Sequence, residues 1–316
     1  MGYVPGQQAQ MDMSRAADDL RSAMKGFGTD EKKLINVLKS LDPLQINSVK
    51  AAFQKRHKRD LMKDLHCETS GYFRHGLESI IRGPLDNDCN ELHESIKGAG
   101  TKESGLNDVL LLRSNADMEA IKQRYQQMFK RSLVSDVKGD LSMKTERLFS
   151  MVLDARRPSE NTQPIPQEVD RDVQEIYRCT EGRMGADQIP VCEIFTHRSK
   201  GQLRAISQAY NAKYHRPLAT VIDKEFSGHM QKALLFILKG SEDPAKHDAE
   251  LVEEACKGMG TKDLMLIRRI VMFHWNRERL QQVKGAYLHF YKRAMVTRVK
   301  GELSGDYSNL ITACIS

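Results

Sequence analysis

Apolar residues recur along this chain at the spacing of helix faces. Leu34, Ile35, Leu38 and Leu41 fall at i, i+1, i+4 and i+7, and Ile46, Val49 and Phe53 at i, i+3 and i+7, so each set forms one stripe on a helix. Alternating Val/Ile/Thr runs closed by turn dipeptides are lacking and aromatics make up only 6% of the residues, so the chain reads as all-α. Between the helical stripes a glycine phrase returns four times: MKGFGTDE at 24–31, IKGAGTKE at 96–103, EGRMGADQ at 181–188 and CKGMGTKD at 256–263. Its second glycines (Gly28, Gly100, Gly185, Gly260) mark units of roughly 70 to 75 residues, with a longer step between the second and third. The extra length is RRPSENTQPIPQE at 156–168, whose prolines and polar residues read as an extended linker between two pairs of repeats.

Thr29, Thr101 and Thr261 each precede acidic residues (Asp30 and Glu31, Glu103, Asp263), which predicts a hydroxyl cap and then carboxylates at the positive end of a helix. A second element follows about forty residues later in each unit: ETSG at 68–71, DLSM at 140–143, EFSG at 225–228 and ELSG at 302–305. Each opens on a carboxylate, and the Ser two residues on predicts a turn that caps the next helix.

A glycine loop paired with a distant carboxylate suits a calcium ion, which is hard and takes about six to eight oxygens. Glycines let the backbone pass through positive φ and aim carbonyl oxygens outward with no side chain in the way. One Asp or Glu then adds two oxygens and the only negative charge, leaving positions for water or a lipid phosphate. Such a site is weak alone, so calcium and an anionic surface should bind cooperatively.

With 316 residues, 40% apolar and 29% charged, the chain can bury a sizeable core and is not disordered as a whole. No window approaches 18 uninterrupted apolar residues, and MGYVPGQQAQMDMSR has neither an apolar signal core nor a cleavage pattern, so a cytoplasmic protein is expected. Gly2 lacks the Ser or Thr of a myristoylation motif. Six cysteines without a Cys-x-x-Cys pair predict free or buried thiols. The net charge of +7 draws anionic partners, but the densest basic run, KRHKR at 55–59, lacks interleaved aromatics and reads as a solvated helix end, so nucleic acid is not an expected partner. Gly26, Gly28 and Glu31 lack the third glycine of GxGxxG, and no GxxxxGK[ST] or GxSxG occurs. No histidine spacing suggests a catalytic pair or a metal ligand set; His197 and His274 read as structural. The fifteen methionines read as core filler. No enzymatic activity is expected.

Four glycine phrases, each followed at the same interval by an acid in helical units of one size, resemble the annexin family over residues 14–316. The resemblance implies five-helix repeats at 14–83, 86–157, 169–241 and 245–316, with a short N-terminal tail at 1–13 and a linker at 158–168. It implies a slightly curved disc with the calcium loops on a convex, membrane-facing side. Carried over residue by residue, the first site uses backbone oxygens of Met24, Gly26 and Gly28 with the carboxylate of Glu68, and the second those of Ile96, Gly98 and Gly100 with Asp140. In the third, Arg183 takes the first glycine position and Ala186 that of the threonine, leaving Arg183, Gly185 and Glu225. In the fourth, Cys256 stands where Met or Leu is usual beside Gly258 and Gly260, and Glu302 comes two residues late, an insertion expected around FHWNRER at 273–279.

The function so implied is calcium-dependent binding to acidic, phosphatidylserine-like membrane surfaces, with reversible recruitment to the inner face of membranes in membrane organisation, trafficking or repair. A monomer in solution with assembly on membranes is expected, and a protein partner through the tail. Two other classes stay open. Asp88, Asp108, Arg113 and Arg268 stand where the family has a central charged cluster, which serves either as a structural ion-pair network or as a path for calcium conduction. Calcium-independent electrostatic binding to acidic lipid would survive chelator and collapse with salt.

Overall fold

The computed structural model describes residues 3, 6–97, 100–141, 143–258 and 260–316; among them are 20 α-helices and no strand. The first repeat holds α1 (Ser14–Ala23), α2 (Glu31–Leu38), α3 (Pro43–His57), α4 (Leu61–Glu68) and α5 (Gly71–Arg82). The second holds α6 (Pro84–Ile96), α7 (Glu103–Leu110), α8 (Asn115–Phe129), α9 (Leu133–Asp140) and α10 (Met143–Leu153). The third holds α11 (Pro166–Cys179), α12 (Gln188–His197), α13 (Lys200–Tyr214), α14 (Leu218–Glu225) and α15 (Gly228–Glu242). The fourth holds α16 (Pro244–Cys256), α17 (Asp263–His274), α18 (Arg277–Tyr291), α19 (Met295–Glu302) and α20 (Gly305–Ile315).

The same local chemistry recurs in each repeat. The longest helix of the first, α3, starts on a capping box in which Asp42 and Gln45 satisfy each other's backbone N–H groups, with Pro43 in the first turn. It ends at Lys58 in the left-handed conformation, as α8, α13 and α18 end at Lys130, His215 and Lys292. That reversal sends the chain back into an eight-residue helix whose last residue is the acid: Glu68, Asp140, Glu225 or Glu302. The helix α17 is 12 residues long against 8 for α2, whereas α18 matches α3 and α19 matches α4 in length, so the fourth repeat's extra residues lengthen a helix.

The apolar stripes read from the sequence line the core: Leu34, Ile35, Leu38, Leu41, Ile46, Val49 and Phe53 are all buried. The packing divides the chain differently from the linker. One compact unit comprises residues 1–88 with 248–316, and the other residues 89–247, so the first repeat joins the fourth and the second joins the third. Two pairs separated at 156–168 were expected; instead α10 packs on α12 across that segment, while α5 packs on α17 and α20. The apolar faces of these helices are the reason, since each repeat buries its remaining stripe against a neighbour. Gly76 of α5 allows the close approach, because a Cβ there would stand 2.8 Å from Leu310 of α20.

The basic run at 55–59 is exposed at every position but His57, as a solvated helix end should be, and two of its arginines are ion-paired. Arg56 makes a bidentate pair with Asp18 at 2.9 and 2.7 Å, and Arg59 one with Asp64 at 2.7 and 2.8 Å, pinning the end of α3 to α1 and α4. All six cysteines are free thiols, five of them buried and Cys67 exposed.

His274 is buried, and burial together with the Arg277 guanidinium pushes its pKa from 6.5 down to about 4. The unfolded chain therefore binds more protons between those values, so this stability is complete above about pH 6.5 and is lost as the pH falls toward 4. The loss from this one group is on the order of 3 kcal/mol. Thermal unfolding followed from pH 7 to pH 4 should show the decline, and His274→Gln should flatten it.

Candidate metal-binding loops

Each glycine phrase forms a loop closed by a backbone hydrogen bond just before the second helix of its repeat. Asp30 N–H donates to Ala23 O at 2.9 Å, Lys102 to Ser95 at 2.8 Å, Asp187 to Cys179 at 2.8 Å and Lys262 to Ala255 at 2.9 Å. The second glycine has positive φ in all four loops: 86° at Gly28, 94° at Gly100, 79° at Gly185 and 87° at Gly260. A β-carbon at any of these would meet nothing within 4 Å, so the loops open outward and steric crowding is not why glycine is there. The positive-φ backbone conformation is the reason. Gly26 and Gly258 also have positive φ, at 115° and 125°. Gly98, an expected donor of the second loop, lies outside the described residues.

The threonines do not cap the helices that follow them. The N-cap residues are Asp30, Lys102 and Lys262, one position later, and the Asp30 carboxylate accepts from Lys33 N–H. The threonine hydroxyls reach instead to the distant acidic turn: Thr29 donates to the carbonyl of Glu68 at 2.9 Å, and Thr101 to that of Asp140 at 3.2 Å and also to its carboxylate. Thr261 stands 3.5 Å from the carbonyl and 3.4 Å from the carboxylate of Glu302. The glycine loop and the acid about forty residues on are thus joined by one side chain, a role that the local sequence signal for capping concealed. Ser70, Ser227 and Ser304 do take N-cap positions, but none makes a side-chain capping bond; Ser142 lies outside the described residues.

The acids differ in their surroundings. Among the described residues no ion pair reaches the carboxylate of Glu68 or of Asp140. Glu225 has the exposed Lys224 ammonium at 3.5 Å. In that third repeat the loop is one residue longer than the others between its closing partners, Ala186 offers no hydroxyl, and Arg183 lies outside the positive-φ region that Gly26 occupies. Arg183 also sits 3.5 Å from Asp187. In the fourth repeat, Arg298 Nη1 pairs with Glu302, its Nη2 donates to Cys256 O at 2.7 Å, and its Nε to Glu253 at 3.2 Å. Burial works to raise the Glu253 carboxyl, but the Tyr287 hydroxyl, Arg298 and Arg293 together hold it below its ordinary value. Burial pushes the Cys256 thiol up to about 11, so this residue can offer an ion its carbonyl but not a thiolate.

Among the described residues no three His, Cys, Asp or Glu side chains converge, so a bound cation must draw mainly on backbone oxygens. Loops 1 and 2 fit a hard, oxygen-seeking ion on that count, each pairing an outward glycine turn with one carboxylate that makes no ion pair among the described residues. Among the described residues, Phe27 in the first loop and Met184 in the third are large apolar side chains at the tip, both fully exposed. The four polar residues of the expected central cluster are divided between the compact units, Asp88 and Arg268 in one and Asp108 and Arg113 in the other. Asp88 accepts from the Tyr3 hydroxyl, and Arg113 Nε donates to Val109 O at 2.9 Å. No helix among the described residues is long and apolar enough to cross a membrane.

The Annexin family profile matches residues 15–80, 87–152, 171–237 and 247–314. Annexin C1 of Cryptococcus neoformans is 39% identical over 315 residues, which cover 99% of this chain and 66% of that protein's length. Annexin A13 of Mus musculus is 34% identical over 305 residues, covering 96% of this chain and 95% of its own. The structure of chicken annexin V superposes with a TM-score of 0.88 at 29% identity, covering 100% of this chain and 98% of that one. Four matched repeats of helices, each with its glycine loop and acid-terminated short helix, make this chain a member of the annexin family.

Proposed function

We propose that this chain binds acidic phospholipid surfaces in a calcium-dependent manner, chiefly through its first and second loops. The annexin family is one of calcium-dependent phospholipid binding, and that is the starting point. The observation that carries the finer reading is the threonine link, which holds an open glycine turn against an acidic residue whose carboxylate is in no ion pair among the described residues. Calcium, when bound there, supplies a divalent charge that a lipid phosphate can share. The chain's own part is to aim carbonyl oxygens of Met24, Gly26 and Gly28, or of Ile96, Gly98 and Gly100, toward the opening, and to bring Glu68 or Asp140 to it. One carboxylate per loop leaves the charge unbalanced, so an anionic headgroup completes the site and binding to calcium and to membrane is mutually reinforcing.

The net charge of +7 supports attraction to acidic lipid before any specific contact forms. Phe27, at the tip of loop 1 between two glycines of positive φ, suits insertion below the headgroups once the loop has docked. Recruitment is reversible on this reading, since nothing but bound ions and shallow side chains holds the protein to the surface.

Sedimentation with phosphatidylserine-containing vesicles tests the reading directly. Glu68→Gln with Asp140→Asn should raise the calcium needed for half-maximal binding by roughly tenfold or more; sedimentation at wild-type calcium levels would remove these two residues from the site. Phe27→Ala should weaken vesicle affinity at saturating calcium by about tenfold, the cost of withdrawing one aromatic side chain from an apolar phase. That loss should persist in high salt, which separates it from a purely electrostatic contribution.

A further inference from the structure

We infer that the fourth loop carries its own cation: the guanidinium of Arg298 takes the position that the glycine phrase and Glu302 would otherwise give to calcium, and keeps this loop out of calcium binding. The inference rests on the reading of loops 1 and 2 as calcium sites and concerns what distinguishes loop 4 from them.

The four short helices that end in the acid are each eight residues long, and their fourth residues can be compared directly. They are Asp64 in α4, Asp136 in α9, Val221 in α14 and Arg298 in α19. In the first repeat Asp64 is paired by Arg59 at 2.7 Å and by Arg21 of α1 at 3.5 Å. In the second, Asp136 is paired by Arg131 at 2.7 Å and accepts from the Tyr125 hydroxyl. In the fourth the polarity across the helix pair is reversed: the acid, Glu253, sits on α16 and the arginine on α19.

That reversal puts a guanidinium one helical turn before Glu302, on the same face. Its three contacts reach Glu253, the Glu302 carboxylate and the carbonyl of Cys256. The last two are the side chain and the first backbone oxygen that the loop would present to calcium. The pair is not a loose surface contact, because only 13% of the Arg298 side chain and 26% of the Glu302 side chain are exposed. A partly desolvated, charge-assisted hydrogen-bonded arginine already neutralises the one carboxylate and occupies the opening's inner oxygens, and an incoming divalent ion would meet a positive charge as well. The glycine turn itself is intact, with Gly258 and Gly260 both at positive φ, so loop 4 keeps its shape while its ligands are engaged internally.

Calcium bound per chain, measured by equilibrium dialysis of the full chain with radioactive calcium and vesicles of phosphatidylserine and phosphatidylcholine, tests this. Arg298→Gln should bind one calcium more than wild type, Arg298→Lys should gain none, and Arg298→Gln with Glu302→Gln should lose the gain. Because Arg298→Gln also removes a partner of Glu253, its fold is checked by circular dichroism, and wild-type crystals soaked in calcium chloride give an independent arm. Those crystals should hold calcium at loops 1 and 2, with the Arg298 guanidinium still against Glu302. Anomalous density in loop 4 with Arg298 displaced, or a folded Arg298→Gln protein that gains no calcium, would overturn the inference. Failure of Glu68→Gln with Asp140→Asn to lower calcium uptake would instead overturn the calcium reading of loops 1 and 2.

Discussion

One threonine hydroxyl joins the glycine loop to the acid-ending short helix in each of the first two repeats. Thr29 and Thr101 span from the glycine loops to Glu68 and Asp140, tying two turns that lie far apart in sequence. Without that link each loop is a backbone reversal closed by one hydrogen bond, and each acid is the last residue of an eight-residue helix. With it, the glycine turn, open on its outer side, and the acid-ending turn are held together at one opening. The rest of the repeat holds that opening in place: the long helix ends in a left-handed residue, the chain reverses, and the short helix delivers its acid back to the loop.

The four repeats differ around the glycine loop while the scaffold persists. The third lacks the hydroxyl and has a longer loop, and its arginine does not share the backbone conformation of the glycine it replaces. The fourth keeps both glycines and the threonine, yet an arginine stands where the first two repeats have an aspartate. Buried charge explains why this position matters. Asp64 and Asp136 are paired by arginines that make no ion pair with the acid ending the same helix, whereas Arg298 pairs with Glu253 and with Glu302 as well.

The helices and the repeat were legible in the sequence because both are periodic: apolar residues at helical spacing from Leu34 to Phe53, and a glycine phrase returning in every unit. The candidate ligands were legible as residue types at a fixed interval. Less visible was which partner each side chain would choose. Thr29 reads as a cap because it stands before an acidic run, but Asp30 fills that position and frees the threonine hydroxyl to reach Glu68.

By itself the sequence determined the all-helical class, the four units, the glycine turns and the acids that follow them, since these depend on local propensity and on spacing along the chain. Tertiary structure decided which repeats pack together, joining the first with the fourth and the second with the third although a proline-rich segment falls between the second and third. It also decided that the carboxylate of Glu302 is ion-paired with an arginine, while among the described residues no ion pair reaches that of Glu68. Both outcomes turn on which side chains meet across helices remote in sequence. Such meetings are set by complementary apolar faces and by the pairing of buried charge, and neither leaves a period that can be read along the chain.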